Sequence, residues 1–210
     1  ADAESALVEL DAQRPNDQRV VLPLARVLNA QGKSASAAQL LDRGLAAVPE
    51  VVHDRQDVVA YLADAHALRG ELAARAGDLE LARTHLEQTC ELRPDSALGH
   101  YQLGAVLAAL SRRSEAETQF ARSVALAPDD VEARNNLGFL LLEADRAAEA
   151  EVHLARAVAL SPGYAPAQFN LGRALLARGA TSEAFEHLDV AGKLDARYIE
   201  AVRGLKATTR

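Results

Sequence analysis

Six histidines are the residues of this 210-residue chain that most readily suggest metal or acid–base chemistry. Five of them recur at a fixed interval: the spacing from His66 to His100 equals that from His153 to His187, and His85 lies two such intervals before His153. Equivalent positions on neighbouring packed helices are separated by about 8–10 Å, whereas zinc needs its ligand nitrogens about 2.0–2.1 Å from one point. We therefore interpret these histidines as inherited repeat positions and expect no metal site.

The single cysteine, Cys90, is the next candidate for reactivity. It shares its repeat position with Val124 and Val158, which favours a small buried hydrophobic residue. A nucleophile would also need an activating base, and His85 lies earlier on the same helix but on a different helical face. The sequence holds no glycine-rich phosphate loop, nucleophile elbow or HExxH motif. We therefore predict that the chain is not an enzyme and uses no cofactor.

Charge and composition restrict the partners further. The net charge is −7 and no long Lys/Arg run occurs, which argues against nucleic-acid binding. No stretch approaches the ~20 apolar residues that cross a bilayer. Abundant alanine and arginine favour a bacterial origin, with cytoplasm and periplasm both open. Because the chain starts at Ala1 without a signal peptide or an initiating Met, we expect it to be a trimmed or mature piece of a longer protein.

A 34-residue period organises most of the sequence, and a fixed period of this size indicates one small structural unit copied along the chain. The residues that keep this interval are Pro94, Pro128 and Pro162; Gly70, Gly104, Gly138 and Gly172; Ala82, Ala116, Ala150 and Ala184; and Leu103, Leu137 and Leu171.

The copy from Ala97 to Pro128 predicts the structure of each unit. Its apolar residues at helical spacing predict a first packed helix; they are Leu98, Leu103, Leu107 and Leu110. Ser114 and Glu117 then form a Ser-x-x-Glu pattern typical of a capping box at the start of a second helix, which Pro128 ends. Each copy is thus expected to be two antiparallel helices.

The recurring glycines predict close helix packing. A glycine inside a helix costs about 1 kcal/mol relative to alanine, so its repetition in every copy requires a compensating gain. We expect that gain to be close approach of the paired helix, with Ala116, Ala150 and Ala184 as the small partners.

These residues resemble the tetratricopeptide repeat, and the resemblance covers nearly the whole chain. The pattern reads Leu103-Gly104, Ala116, Phe120 and Pro128, then Leu137-Gly138, Ala150, Leu154 and Pro162, then Leu171-Gly172, Ala184 and Leu188, with Ala196 where proline would fall. The resemblance implies an all-α, right-handed superhelical solenoid of antiparallel helix pairs. Two departures are Arg69 before Gly70, in place of leucine, and Ala25 in place of a glycine.

The period predicts one continuous solenoid with the following parts. They are a half repeat with a second helix only (1–15), repeats at 16–50, 51–96, 97–130, 131–164 and 165–196, and a C-terminal capping helix (197–208). The repeat at 51–96 carries an insertion whose length equals about three helical turns. We expect one long helix from about Asp54 to Ala76 that extends roughly 16 Å beyond its neighbours; an ordinary loop at 50–57 is the alternative.

The resemblance also implies that the first helices line a concave groove for a partner. On these helices, the face opposite the packed leucines is polar apart from Ala105 and Phe139, and exposure of Phe139 would indicate a contact surface. Gln102, Asn136 and Asn170 form an expected amide row that suits a peptide backbone, although asparagine is also an ordinary repeat residue there. The expected partner-binding residues are Tyr101, Gln102, Ala105, Glu132, Asn135, Asn136, Phe139, Glu143, Phe169, Asn170 and Arg173.

The function expected from this resemblance is a protein–protein interaction scaffold or adaptor that holds a peptide segment or helix of another protein. Two alternatives remain open at this point. The chain could be a non-catalytic targeting or regulatory domain of a larger enzyme, or a scaffold that assembles with copies of itself.

Overall fold

The structure, a computed structural model, describes residues 3–49 and 55–208, which form two compact units divided between Arg112 and Arg113. The helices of unit 1 are α1 (Ala3–Gln13), α2 (Gln18–Ala30), α3 (Ser34–Ala46), α4 (Gln56–Arg75), α5 (Leu79–Leu92) and α6 (Ala97–Ala109). The helices of unit 2 are α7 (Arg113–Leu126), α8 (Val131–Glu143), α9 (Ala147–Leu160), α10 (Ala165–Ala177), α11 (Thr181–Leu194) and α12 (Ile199–Thr208).

Unit 1 is built from helix pairs that share one apolar core. The pairs are α2 with α3 and α4 with α5, and α6 packs on α5. Val21, Leu41 and Leu86 are buried at the centre of these contacts. The single helix α1 packs on α2, where Leu7 covers part of the core.

Unit 2 repeats the same architecture. Helices α8 and α9 form one pair and α10 and α11 form the next, while α7 packs against α8. Phe120, Leu154 and Leu188 are deeply buried. A short 3₁₀ turn (Ala196–Tyr198) leads into α12, and Val202 of α12 is buried. Helix α12 packs against α11, so a terminal helix borders the last described pair.

The glycines on the first helices lie where the paired helices approach most closely. A Cβ added to Gly138 would lie 2.5 Å from Cγ of Leu154, and one added to Gly172 would lie 2.6 Å from Cγ of Leu188. The expected close approach is present, but the side chains that fill the space are leucines. The alanine expected as a partner contributes only its backbone at Gly172, where the Ala184 carbonyl oxygen lies 3.0 Å from the added Cβ.

The turn inside each repeat uses a left-handed residue at one recurring position. Gly32, Gly77 and Gly179 have φ values of 78°, 84° and 81°, and the residues at the same position in the other repeats, Ser111 and Asp145, have φ values of 61° and 58°. Left-handed backbone disfavours residues with a Cβ. A boundary between two helices after Leu110 was predicted from the sequence, but the left-handed conformation of Ser111 was not.

Helix α4 is the longest described helix, with 20 residues (Gln56–Arg75) against 13 in α6, α8 and α10. The expected start at Asp54 lies outside the described residues. Arg55 has extended backbone and precedes the helix as its N-cap. The helix is thus lengthened by about two turns, which is less than the predicted three, because it begins only at Gln56, after the extended backbone of Arg55.

Two local expectations from the sequence were wrong. Helix α7 begins at Arg113, so Ser114 lies within the first turn and cannot act as its N-cap; Glu117 instead accepts a hydrogen bond from Nη1 of Arg146 at 2.5 Å. Leu98, expected in the packed face of α6, is 64% exposed. Leu98 lies in the first turn, about 140° around the helix axis from Leu103 at 3.6 residues per turn, and the next residue, Gly99, is the buried one. None of the helices in the described ranges is long and apolar enough to span a membrane.

Candidate functional site

The expected partner-binding residues of unit 1 lie on α6. Tyr101 and Gln102 are half-buried and Ala105 is exposed. Gln102 borders a cavity of about 220 Å³ between α4 and α6, named here the α4–α6 cavity. Residues that define its chemistry are Arg26, Asp64, Leu68, Arg93, Leu98 and Gln102.

A shared carboxylate lies at the edge of this cavity. Asp64 on α4 accepts a hydrogen bond from Nη2 of Arg26 at 3.0 Å and another from Nη1 of Arg93 at 2.8 Å. Nη2 of Arg93 also donates to the carbonyl oxygen of Ala60 at 3.3 Å. This bridge connects α2, α4 and the connection between α5 and α6. Two guanidinium groups therefore share one carboxylate in the partly exposed rim.

A second and larger cavity, of about 780 Å³, opens between α2 and α4. It shares Arg26 and Asp64 with the α4–α6 cavity. Its other arginines are each paired with an aspartate of their own: Arg19 with Asp17 at 2.7 Å, and Arg55 with Asp57 at 2.7 Å. Arg19 and Arg55 therefore differ from Arg26 and Arg93, because they do not share a counter-ion.

In unit 2 the expected amides form a buried network. Nδ2 of Asn170 on α10 donates to Oδ1 of Asn135 on α8 at 3.0 Å, and Nδ2 of Asn135 donates to Oδ1 of Asn136 at 3.2 Å. Asn135 and Asn170 are both buried, whereas Asn136 is half-buried. Asn170 thus bonds to Asn135 and not to Asn136, the residue expected beside it in the amide row. The network joins two neighbouring repeats.

Phe139 has the solvent exposure expected of a contact residue, but another side chain lies over it. Its side chain is 39% exposed, and Cζ of Arg173 lies 5.8 Å from the ring centroid, within the range of a cation–π contact. Nη2 of Arg173 also donates to Oε1 of Glu143 at 2.9 Å. Three expected site residues from α8 and α10 are therefore brought together.

The remaining expected residues of unit 2 have different surroundings. Glu132 is exposed in the first turn of α8. Phe169 is half-buried and its ring packs against Tyr198 with centroids 4.7 Å apart. Because Tyr198 belongs to the 3₁₀ turn before α12, this turn covers part of the surface that Phe169 was expected to offer.

Two of the histidines form a hydrogen-bonded pair within one repeat. Nδ1 of His66 on α4 lies 2.9 Å from Nδ1 of His85 on α5. Burial, followed by the neighbouring His85, lowers the pKa of His66 from 6.5 to about 4. Burial also lowers the pKa of His85, with a smaller contribution from Arg69 and an opposing one from Asp42. The pair is therefore neutral at pH 7, and one ring donates to the other.

The same two repeat positions carry a related polar pair in unit 2. Nδ1 of His187 lies 2.7 Å from Oε1 of Gln168. Across the described part of the chain, no group of three or more His, Cys, Asp or Glu side chains is arranged to hold a metal ion. We interpret the pairs as structural contacts between the two helices of a repeat.

Cys90 is half-buried on α5. Burial, followed by the nearby carboxylates of Glu87 and Glu91, raises the pKa of its thiol to about 11. A thiol with this pKa is almost fully protonated at pH 7, so it is a poor nucleophile.

Comparison with family profiles identifies the family to which this chain belongs. Tetratricopeptide-repeat profiles match residues 18–43 and 62–88, 101–165 and 141–208. The chain belongs to the tetratricopeptide-repeat family, and its fold is an all-α solenoid of such repeats. No curated protein sequence matches it.

Several solved structures are similar in fold. The crystal structure of YrrB, described as a tetratricopeptide-repeat protein with an unusual peptide-binding site, aligns with a TM-score of 0.80 at 22% identity, covering 97% of this chain and 100% of that one. The MamA protein aligns with a TM-score of 0.72 at 17% identity over 87% and 94% of the two chains. MamA from Desulfovibrio magneticus RS-1 aligns with a TM-score of 0.69 at 21% identity over 84% and 94%.

Apart from Gln102, the polar and apolar residues that define the α4–α6 cavity were not predicted from the sequence as binding residues. One repeat interval before Glu132 lies Leu98, and one interval before Leu98 lies Asp64. Because Glu132 was an expected binding residue, the same repeat position would have indicated Leu98 and Asp64 as well. Arg93 lies between helices, outside the face that was considered.

Proposed function

We propose that this chain is a protein-interaction scaffold that binds a segment of a partner protein on the exposed faces of its first helices. The observation that carries the proposal is the presence of a solvent-exposed large apolar residue on such a face in each unit. Leu98 has this role in unit 1 and Phe139 in unit 2. Exposed apolar side chains surrounded by polar groups are typical of contact surfaces.

Polar groups next to these side chains support the same proposal. Half-buried Gln102 and Asn136 occupy the same position in successive repeats, beside Leu98 and Phe139 respectively. Primary amides both donate and accept hydrogen bonds, so they match the alternating groups of a peptide backbone. The peptide-binding site named for YrrB, a protein of similar fold, is consistent with this use of a repeat scaffold.

Site-specific photocrosslinking tests this proposal. The photoreactive residue p-benzoylphenylalanine would replace Leu98, Phe139 or Val152 in three separate proteins, which are then irradiated in a lysate of the source cells. Val152 is the matched control, because it is 66% exposed but lies on α9, the second helix of its repeat. We expect crosslinks to a partner from position 98, position 139 or both, and none to the same partner from position 152.

Equal crosslinking from all three positions, or crosslinking from position 152 alone, would contradict the proposal. A crosslinked product that contains only this chain would identify the partner as a second copy. Light scattering over a concentration series then measures the oligomeric state directly.

A further inference from the structure

The α4–α6 cavity combines an exposed leucine with a charged rim formed by two guanidinium groups and two carboxylates. We propose that it binds a protein segment in which an apolar side chain stands within a few residues of a carboxylate. This inference rests on the proposed function, since it names the partner chemistry of the unit 1 surface.

Leu98 provides the apolar part of the site. It is 64% exposed at the edge of the cavity, with Leu68 half-buried beside it. The residues at the same repeat position in the neighbouring repeats are charged, Asp64 on one side and Glu132 on the other. A leucine at a position that is otherwise charged gains free energy only when a partner covers it.

The cavity size indicates what kind of group enters. Its volume of about 220 Å³ is below the range of roughly 300–1,000 Å³ typical of pockets for drug-sized small molecules. A single side chain of a larger partner fits such a space better than a free ligand does. The rest of the partner would then lie along α4 and α6.

The charged rim indicates the second element of the partner. Arg26 and Arg93 share Asp64, and the side chain of Arg26 is 60% exposed, so part of its guanidinium faces solvent. The other carboxylate at the cavity, Glu71, is bound to Nη2 of Arg75 at 2.5 Å. A guanidinium presents five donors in a planar arrangement, and its most favourable partner is a carboxylate. The shared ion pair therefore has room for a second, incoming carboxylate.

Selection from a random peptide library tests the proposal without a known partner. Random dodecapeptides displayed on phage would be selected on the immobilised full chain. We expect enriched peptides to carry Asp or Glu close in sequence to Leu, Ile, Met or Phe. An enriched peptide, synthesised with a fluorophore, would then be titrated by fluorescence anisotropy.

Matched variants assign the binding to this cavity. We expect Leu98→Ser and the double variant Arg26→Gln/Arg93→Gln each to raise the peptide Kd at least tenfold. The controls Val152→Ser, equally exposed on α9, and Arg156→Gln, an exposed arginine paired with Asp129, should leave the Kd within twofold. Replacement of the peptide's acidic residues by their amides should weaken binding tenfold with the folded wild-type protein, which excludes misfolding as the cause.

The outcomes separate this inference from the proposed function. Enriched peptides without acidic residues, or binding that depends on Phe139 and Arg173 but not on Leu98, would overturn the inference while the proposed function stands. Failure to enrich any peptide above a support-only selection would also overturn it, and photocrosslinking at positions 98 and 139 then decides the proposed function separately.

Discussion

The first-helix surfaces of the two units share a repeat pattern but differ in how their polar groups are used. In unit 1, Leu98 is exposed beside an open cavity and two arginines share one aspartate. In unit 2, Asn170 bonds to Asn135, and Arg173 bonds to Glu143 across neighbouring repeats. The repeat position determines on which face a side chain lies, whereas the residue in the next repeat determines whether that side chain is available to a partner.

The helix packing beneath these surfaces is the same in both units. A Cβ added to Gly70 in unit 1 would lie 2.8 Å from Cγ of Leu86, and one added to Gly138 in unit 2 would lie 2.5 Å from Cγ of Leu154. A common scaffold therefore carries two different surfaces. Substitutions in each unit can test the scaffold and the surfaces separately.

Overpacking the glycine–leucine contact should lower the free energy of unfolding more than any other substitution considered, and by a similar amount in both units. We expect Gly70→Leu and Gly138→Leu each to lower the free energy of unfolding by about 3 kcal/mol, because the added side chain displaces a buried leucine in a close-packed interface. Urea unfolding followed by circular dichroism measures the loss. Gly204→Leu on α12 is the control, since no atom lies within 4 Å of a Cβ added there. Equal free energies of unfolding for all three variants would show that the glycine–leucine contact does not stabilise the helix pairs.

Removal of an amide should distinguish the two surfaces. Asn170→Ala leaves Oδ1 of Asn135 buried without the hydrogen bond from Asn170, so we expect the free energy of unfolding to fall by about 2 kcal/mol. Gln102→Ala in unit 1 removes a half-buried residue at the edge of a cavity, and we expect a loss below about 0.5 kcal/mol. Denaturant titrations of both variants against wild type provide the comparison. If the loss for Asn170→Ala is no larger than the loss for Gln102→Ala, the buried amide network does not stabilise unit 2.

The repeat and its packed columns were predictable from the sequence, because buried positions such as Gly138 and Leu154 follow a strict interval. Whether a surface side chain is free to contact a partner could not be predicted in the same way. Asn170 is buried and bonds to Asn135 of the preceding repeat, and the ring of Phe169 packs against Tyr198 of the 3₁₀ turn. Such contacts join side chains from different repeats, and spacing within one helix does not specify them.

The inserted segment before α4 shows a similar limit. The spacing of 45 residues from Pro49 to Pro94, against the period of 34, fixes the total length of the insertion but not its division between helix and connection. Only about two turns were added to α4, and the residue before the helix, Arg55, has extended backbone and pairs with Asp57 in the first turn. The extended backbone of Arg55, and not the proline interval, marks where the helix begins.

The histidine pair should make unit 1 sensitive to mild acid. The pKa of His66 is about 4 in the folded protein and 6.5 for an ordinary histidine, so between these values the unfolded chain binds a proton that the folded chain does not. Stability is therefore complete above pH 6.5 and falls as the pH decreases toward 4. Because His66 is only half-buried, we expect a loss of about 1 kcal/mol rather than the roughly 3 kcal/mol of a fully buried group.

Denaturant unfolding at pH 7 and at pH 4.5 measures this loss. His66→Gln should reduce it, because Gln168 forms the corresponding pair in unit 2 and accepts a hydrogen bond there from His187. Gln does not titrate, so the variant removes the proton uptake while retaining a polar partner for His85. An unchanged pH dependence in the variant would assign the acid sensitivity to other groups.

Substitutions at the left-handed turn position should change the free energy of unfolding least, and replacement by glycine should raise it rather than lower it. Ser111 in unit 1 and Asp145 in unit 2 have positive φ values where three other repeats use glycine. We expect Ser111→Gly to raise the free energy of unfolding by about 0.5 kcal/mol, because the relief of left-handed strain exceeds the added backbone entropy of the unfolded chain. Asp145→Gly should raise the free energy of unfolding by a smaller amount, since aspartate tolerates this conformation better than most residues. The reverse substitution, Gly77→Ser, should be destabilising by a comparable amount. If Ser111→Gly instead destabilises the protein while Gly77→Ser does not, the side chain of Ser111 stabilises its own turn and the two positions are not equivalent.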